Sequence, residues 1–239
     1  MAVKTHKTSS PGKSRTVYDA FIALNQADSS FKEQNFRGEI LTLCVGGTNT
    51  TSVIMSSCML AMAWHPDIQE ELYQEIVSVL GGLLTRDVTI DDLRKMTFLD
   101  KVVKETLRKF SVFTRLQRKT SEELKLSFGV LPAGTTFQVG IAGVHMNPHI
   151  YPDPELFQPE RFSAENTAKR PKYSFIPFSG GPRNCIAGEY AVMFVKIVLV
   201  HIISRYKLHS TLKMSDVTLK FQIEVQIEQG YPIRIERRL

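Results

Sequence analysis

A chain of 239 residues that is 43% hydrophobic can bury a sizeable core, and its three cysteines, lacking metal-ligand spacing, exclude a disulfide framework or zinc cluster. Thirty basic and 24 acidic side chains leave a net charge of +6, but no aromatic-interleaved basic stripe that would suit nucleic acid. The cysteine usage fits a reducing compartment.

Residues 1–15 are polar and rich in Ser, Thr, Lys, Pro and Gly, and read as a disordered basic leader rather than a signal peptide or anchor. Residues 16–239 read as the folded part. A helix is expected over 18–24, then a polar break at 28–30, then a long helix from about Glu33 to His65. No charged residue lies between Ile40 and Trp64, a length that could span a bilayer. The same stretch holds Gly46, Gly47, Thr48, Asn49, Thr50, Thr51, Ser56 and Ser57. So polar a segment is costly in lipid, so a helix buried inside protein is the better reading and an integral membrane protein the weaker one.

Pro66 suits the first turn of the next helix, where its missing N–H does no harm. Ile68, Leu72, Ile76 and Leu80 then recur at four-residue spacing until Gly81 and Gly82 stop the helix. Asp91 opens a short helix, and 98–110 forms another with Leu99, Val102, Val103, Thr106 and Leu107 inward. Short strands are expected at 124–128 and 135–140 around a Pro132-Ala133-Gly134 turn. The Pro-rich stretch 147–171 reads as irregular, and 185–206 as a long apolar helix. Segments 219–227 and 233–235 alternate like a closing hairpin around Gly230. The fold class is mainly α with small β-sheets.

The run Phe178-Ser179-Gly180-Gly181-Pro182-Arg183-Asn184-Cys185 reads F-x-x-G-x-R-x-C, a Gly-rich loop carrying one thiol into an apolar helix. Such a loop is expected to hold the sulfur where backbone N–H groups converge. A helix N-terminus and Arg183 would both favour a thiolate. A turn around a buried core cysteine is the plainer alternative. Upstream, Glu105-Thr106-Leu107-Arg108 sets a carboxylate and a guanidinium on one helix face, a spacing that also arises by chance on solvated surfaces. Further on stands Pro159-Glu160-Arg161-Phe162. His145 and His149 flank Met146-Asn147-Pro148 without a carboxylate or thiol beside them, and read as loop-packing residues rather than metal ligands.

These motifs, in this order, resemble the cytochrome P-450 family, whose haem iron carries a cysteine thiolate. The resemblance covers nearly the whole chain and corresponds to the C-terminal, haem-loop half of that fold, so 16–239 would be a partial domain. It implies haem b with Cys185 as axial ligand, in a pocket involving Phe178, Gly181, Arg183, Arg118, Gly46 and Gly47. Arg183 and Arg118 would meet the two propionates, with Arg115 a close competitor for the second place. Glu105, Arg108 and Arg161 would lock into an ion network behind the haem.

The family bends its central helix at (A/G)-G-x-(D/E)-T-(T/S), where an acid and a Thr relay protons. Thr50 matches the Thr, while Asn49 stands where the acid is expected. An amide cannot shuttle a proton near neutral pH. A small-residue patch for close helix packing is the other reading of these glycines. Ala187 replaces the family's usual Gly two residues after the cysteine.

The segment Val144-His145-Met146-Asn147-Pro148 is similar to the class-4, insect-rich branch. The resemblance implies a monomeric monooxygenase that takes electrons from a flavoprotein reductase and oxidises an apolar substrate. It would sit on the cytosolic face of the endoplasmic reticulum membrane, although this chain itself shows no anchor. Lys172, Arg183 and Lys196 could meet the reductase, or could be ordinary solvated charges. A truncated or degenerate relative that turns nothing over is the alternative function.

Overall fold

A computed structural model of the chain describes residues 16–27, 33–82, 86–222 and 224–238. The leader expected over 1–15 and the break expected at 28–30 lie outside them. The chain divides into two units at Asn49 and Thr50. In the first, helix α1 (Val17–Ala27) opens with Thr16, whose side chain accepts from the Asp19 N–H at 3.1 Å. Phe36 packs edge-on against Tyr18 and Phe21. Helix α2 (Glu33–Trp64) crosses the boundary as one continuous helix.

The second unit begins within α2 and continues as α3 (Pro66–Leu80), α4 (Ile90–Lys95) and α5 (Thr97–Lys109). Then come β1 (Leu116–Lys119), β2 (Leu124–Leu126), β3 (Gly129–Leu131), β4 (Thr136–Val139) and α6 (Ile141–His145). A 3₁₀ turn at Pro159–Phe162, α7 (Ala164–Ala168) and α8 (Gly188–Ile203) follow. The chain closes with β5 (Tyr206–His209), β6 (Leu219–Phe221), β7 (Val225–Ile227) and β8 (Arg234–Arg237).

Helix α3 forms for the reasons legible in its sequence. Pro66 stands at its start, and Gly81, at φ 63°, caps its end by donating to the Val77 carbonyl. Its stripe Leu72, Ile76 and Leu80 is buried beside Gln69, which bonds Met62 O, Leu208 O and the Leu208 N–H. Helix α4 starts on a capping box: Thr89 accepts from the Asp92 N–H, and Asp92 accepts from the Thr89 N–H. The core gathers Cys58 and Met62 of α2, Leu72 of α3, Leu99, Val102 and Val103 of α5, and Val195, Leu199 and Ile203 of α8. Burial pushes the Cys58 thiol up to about 12, against a hydrogen bond with Thr106. That thiol is a packing group.

Three expectations need correction. The uncharged stretch of α2 is core only from Val53 onward, whereas Leu41, Leu43 and Val45 are exposed. Burial follows the elements packed on a helix, which its own composition does not reveal. The final helix begins at Gly188 rather than Cys185, because the preceding residues close turns instead.

The strands also pair differently from a closing hairpin. They form four two-stranded antiparallel ribbons, β1 with β4, β2 with β3, β5 with β8 and β6 with β7. Strand β8 thus pairs across a long connection with the segment just after α8, placing Leu208 opposite Ile235. Alternation marks a strand but not its partner. Among the described residues, no helix is long and apolar enough to cross a membrane.

Candidate functional site

The buried half of the site is built on α5. Arg108 and Glu105 are fully buried and joined by a fork: Arg108 Nε donates to Glu105 Oε2 at 2.7 Å and Nη2 to Oε1 at 2.9 Å. The remaining guanidinium hydrogens reach the carbonyls of His145 (2.9 Å), Pro154 (2.8 Å) and Leu156 (3.3 Å). Glu105 also accepts from the Gln158 N–H at 2.8 Å. One guanidinium therefore ties α5 to α6 and to the Pro-rich stretch, a task for which its planar array of five donors is suited.

Arg161 completes the cluster. Its Nε lies 3.4 Å from Glu105 Oε1, and its Nη2 donates to the Asp153 carbonyl at 2.7 Å. The approach to Glu105 is an ion pair without hydrogen-bond geometry, so Arg161 Nε is buried without a hydrogen-bond partner among the described residues. Burial, with Arg108 adding to it, pushes the Arg161 pKa below its usual value. Tyr151 wedges beneath: the guanidinium carbons of Arg108 and Arg170 stand 5.2 and 5.1 Å from its ring, and its hydroxyl donates to Ser174 O at 3.0 Å.

His145 is a residue whose importance the sequence understated. It is fully buried, stacks on Phe175, accepts the Ile176 N–H on Nε2 at 3.0 Å and meets Ser111 Oγ through Nδ1 at 2.9 Å. An accepting Nε2 assigns the proton to Nδ1 and makes the ring neutral. Burial, with Arg108 next, lowers its pKa to about 4. It thereby braces the segment that leads into the cysteine loop. His149 is exposed.

The loop itself is a stack of tight turns. The Cys185 N–H donates to Phe178 O at 3.0 Å, the Asn184 N–H to Gly181 O at 3.1 Å and the Ser179 N–H to Ile176 O at 3.0 Å. Ser179 at φ 68° and Gly181 at φ 79° take left-handed conformations, which only Gly adopts without cost. These N–H groups are spent on closing turns, so they do not converge on the sulfur. Cys185 is exposed and its Sγ has no hydrogen bond among the described residues. Phe178 packs behind the loop, where a Cβ at Gly188 would come within 3.1 Å of its Cγ. That explains the glycine one position beyond Ala187.

A cleft of about 560 Å³ runs beside Cys185, bounded by α4, α5 and α8, with Leu107, Phe178 and Val192 in its walls. Arg94, Lys104 and Lys196 stand at it, and Lys104 and Lys196 both pair with Asp100. Lys172 instead lies 5.0 Å over the Tyr173 ring. Arg183 is exposed with no hydrogen bond or ion pair among the described residues, while Arg118 on β1 reaches only the Gln117 carbonyl. Arg115 is exposed in the segment just before β1. The exposed thiol, with Arg183 two residues before it, suits an anionic porphyrin carrying a thiolate-bound metal, while neither Arg183 nor Arg118 is among the residues that line the cleft beside Cys185. No cluster of three His, Cys, Asp or Glu ligands is present among the described residues.

Asn49 and Thr50 are consecutive residues of α2, the first exposed and the second half-buried. Among the described residues a Cβ at Gly46 or Gly47 would meet nothing within 4 Å, so close packing among them does not require either glycine. Each weakens the helix by about 1 kcal/mol relative to Ala.

Comparison with known proteins carries the motifs beyond coincidence. The family model described as Cytochrome P450 matches residues 1–230. The chain is 35% identical over 92% of its length to Cytochrome P450 4g1 of Drosophila melanogaster. It is 30% identical over 97% to Cytochrome P450 4c21 of Blattella germanica, and 32% identical over 95% to Cytochrome P450 4V2 of Rattus norvegicus. It spans 40%, 46% and 44% of those relatives' own lengths, respectively. All three carry family 4 names, the branch to which the segment around His145 pointed. With the model match spanning nearly every residue, and with the cysteine loop, the E-x-x-R helix and the P-E-R-F turn all present, the chain belongs to the cytochrome P450 family.

Proposed function

We propose that this chain is the haem-binding part of a haem-thiolate monooxygenase, with Cys185 as the axial ligand of haem b. The observation that carries the reading is the exposed thiol on a loop held by its own turns, two residues after an exposed Arg183 that has no partner among the described residues. Arg183 and Arg118 would pair with the propionates, and Phe178 and Gly181 would shape the loop against the ring. Bound haem would supply dioxygen activation, using electrons from a flavoprotein reductase, to insert one oxygen atom into an apolar substrate.

The chain's own residues have simpler tasks. The Glu105, Arg108 and Arg161 cluster holds the Pro-rich stretch against α5, and His145 holds Ile176 at the foot of the loop. Thr50 would hold and pass a proton at Oγ1. Asn49 beside it can orient a water molecule but not release a proton near neutral pH. Gly46 and Gly47, where an added Cβ would meet nothing within 4 Å among the described residues, would leave room on α2 for the haem. In the cell the protein would work as a monomer on the cytosolic face of the endoplasmic reticulum membrane, as family membership suggests.

Asn49 favours a second reading, a relative that binds haem weakly and turns nothing over. Reconstitution with hemin, reduction and exposure to carbon monoxide tests the ligand. The red-displaced Soret band of a thiolate complex is expected, and its persistence in Cys185→Ala would overturn the assignment. Product formation with reductase present would remove the second reading.

A further inference from the structure

An Arg-Lys pair followed two residues later by a hydroxyl occurs three times in this chain: Arg94-Lys95-Met96-Thr97, Arg108-Lys109-Phe110-Ser111 and Arg118-Lys119-Thr120-Ser121. Cations placed three and two residues before a Ser or Thr complement the acidic substrate cleft of a basophilic protein kinase. The sequence therefore offers three equivalent acceptors, and the fold makes them unequal.

Ser111 is buried, its hydroxyl meets His145 Nδ1 at 2.9 Å, and its upstream cation Arg108 is sealed against Glu105. Thr97 is exposed but opens the first turn of α5, where the Glu75 carboxylate accepts from the Phe98 and Leu99 N–H groups at 2.7 and 2.8 Å. Arg94 is already paired with Asp91 at 2.9 Å. Phosphoryl transfer needs the hydroxyl in line with the γ-phosphate, and a residue locked into a helix turn gets there only by giving up that cap.

Ser121 meets neither obstacle. It is exposed in the bend between β1 and β2, and its hydroxyl has no hydrogen bond among the described residues. Arg118 and Lys119 are exposed on β1, which pairs with β4 alone among the described residues, and neither forms an ion pair there. Thr120 is the anchor. Its hydroxyl donates to Pro132 O at 2.7 Å and accepts the Thr135 N–H at 2.9 Å, so it is engaged while its neighbour is free.

We propose that Ser121 is a phosphorylation site for a basophilic serine/threonine kinase, and that the fold withholds the same motif at Thr97 and Ser111. ATP is the donor. An O–P bond forms at Ser121 Oγ as the bond from the γ-phosphorus to the bridging oxygen of ADP breaks, and the hydroxyl proton passes to the kinase's catalytic carboxylate. The product adds about two negative charges at pH 7 to a turn that already carries Glu122 and Glu123. No residue of that turn belongs to the core, so modification changes what this surface attracts rather than how well the chain folds. The proposal stands apart from the haem reading.

The test incubates the native chain with ATP and the catalytic subunit of cyclic-AMP-dependent protein kinase, and maps phosphate by mass spectrometry. Phosphate is expected at Ser121 alone, in the tryptic peptide 120–125. Ser121→Ala should abolish it, Thr97→Ala should leave it unchanged, and Arg118→Gln should slow it about tenfold at limiting chain concentration. Synthetic peptides spanning the Thr97 and Ser111 motifs lack the fold and should be phosphorylated. Refusal of those peptides would overturn the claim that the fold withholds them. No phosphate at Ser121 in the native chain, labelling that survives Ser121→Ala, or Thr97 and Ser111 reacting in the native chain as fast as Ser121 would each overturn the site.

Discussion

The α5 cluster and the cysteine loop both carry motif residues, yet they solve opposite problems. Around Arg108 every guanidinium donor has a partner from this chain, and the pair with Glu105 is sealed from water. Around Cys185 the backbone closes its own turns, but the exposed side chains of Arg183 and Cys185 have no hydrogen-bond partner among the described residues. A motif whose partners are all internal acts on stability. A motif whose backbone is satisfied while its side chains are not is held ready for something else.

The sharpest way to break that contrast is to remove a charge from the first region. Arg108→Ala should cost about 3–5 kcal/mol in urea unfolding, because buried Glu105 loses its two-pronged partner and keeps only Arg161 at 3.4 Å and the Gln158 N–H. Arg161→Ala should cost less, since its Nε makes no hydrogen bond among the described residues. A smaller loss for Arg108 than for Arg161 would refute the ranking.

Acid should expose the same buried region through His145. Its folded pKa of about 4 lies below the usual 6.5, so between those values the unfolded chain binds a proton that the folded chain refuses. Stability is therefore complete above pH 6.5 and lost as pH falls toward 4. His65, whose pKa burial also lowers, adds to the slope in the same direction. His145→Gln should flatten the dependence of the unfolding midpoint on pH, and an unchanged slope would exclude this ring as a cause.

In the loop the expected effects on folding are small. Cys185→Ala should change unfolding free energy by no more than about 0.5 kcal/mol, as an exposed side chain without partners would. It should nonetheless abolish the thiolate spectrum on hemin addition. Smallest of all, Asn49→Asp at its exposed position should leave stability nearly untouched. In an active, longer parent it should reduce peroxide leakage, and equal leakage would argue against any proton-relay role for position 49.

Local chemistry made several elements legible. Helix α3 announces itself by the spacing of Ile68, Leu72, Ile76 and Leu80 between a proline and two glycines, because periodicity, φ restriction and left-handed capping are properties of near neighbours. The start of α4 reads at Asp91, and the capping box from Thr89 to Asp92 that sets it goes unread, although its signal, a Thr followed three residues later by an acid, is equally local. The cysteine loop was recognisable for the same reason.

What the sequence by itself determined was therefore the longer helices, the turn-forming glycines and the motifs that mark the family, whereas the short helices α6 and α7 were not foreseen, α7 falling in the stretch read as irregular. Tertiary structure alone decided that β8 pairs with β5, that α2 becomes core only at Val53, that His145 braces Ile176, and that Arg108 gathers carbonyls from His145 and Pro154. Those outcomes depend on groups brought together from 31 to 46 positions apart in the bracing and carbonyl contacts. Hydrogen bonding and burial are settled by which surfaces meet, and no local pattern encodes that meeting.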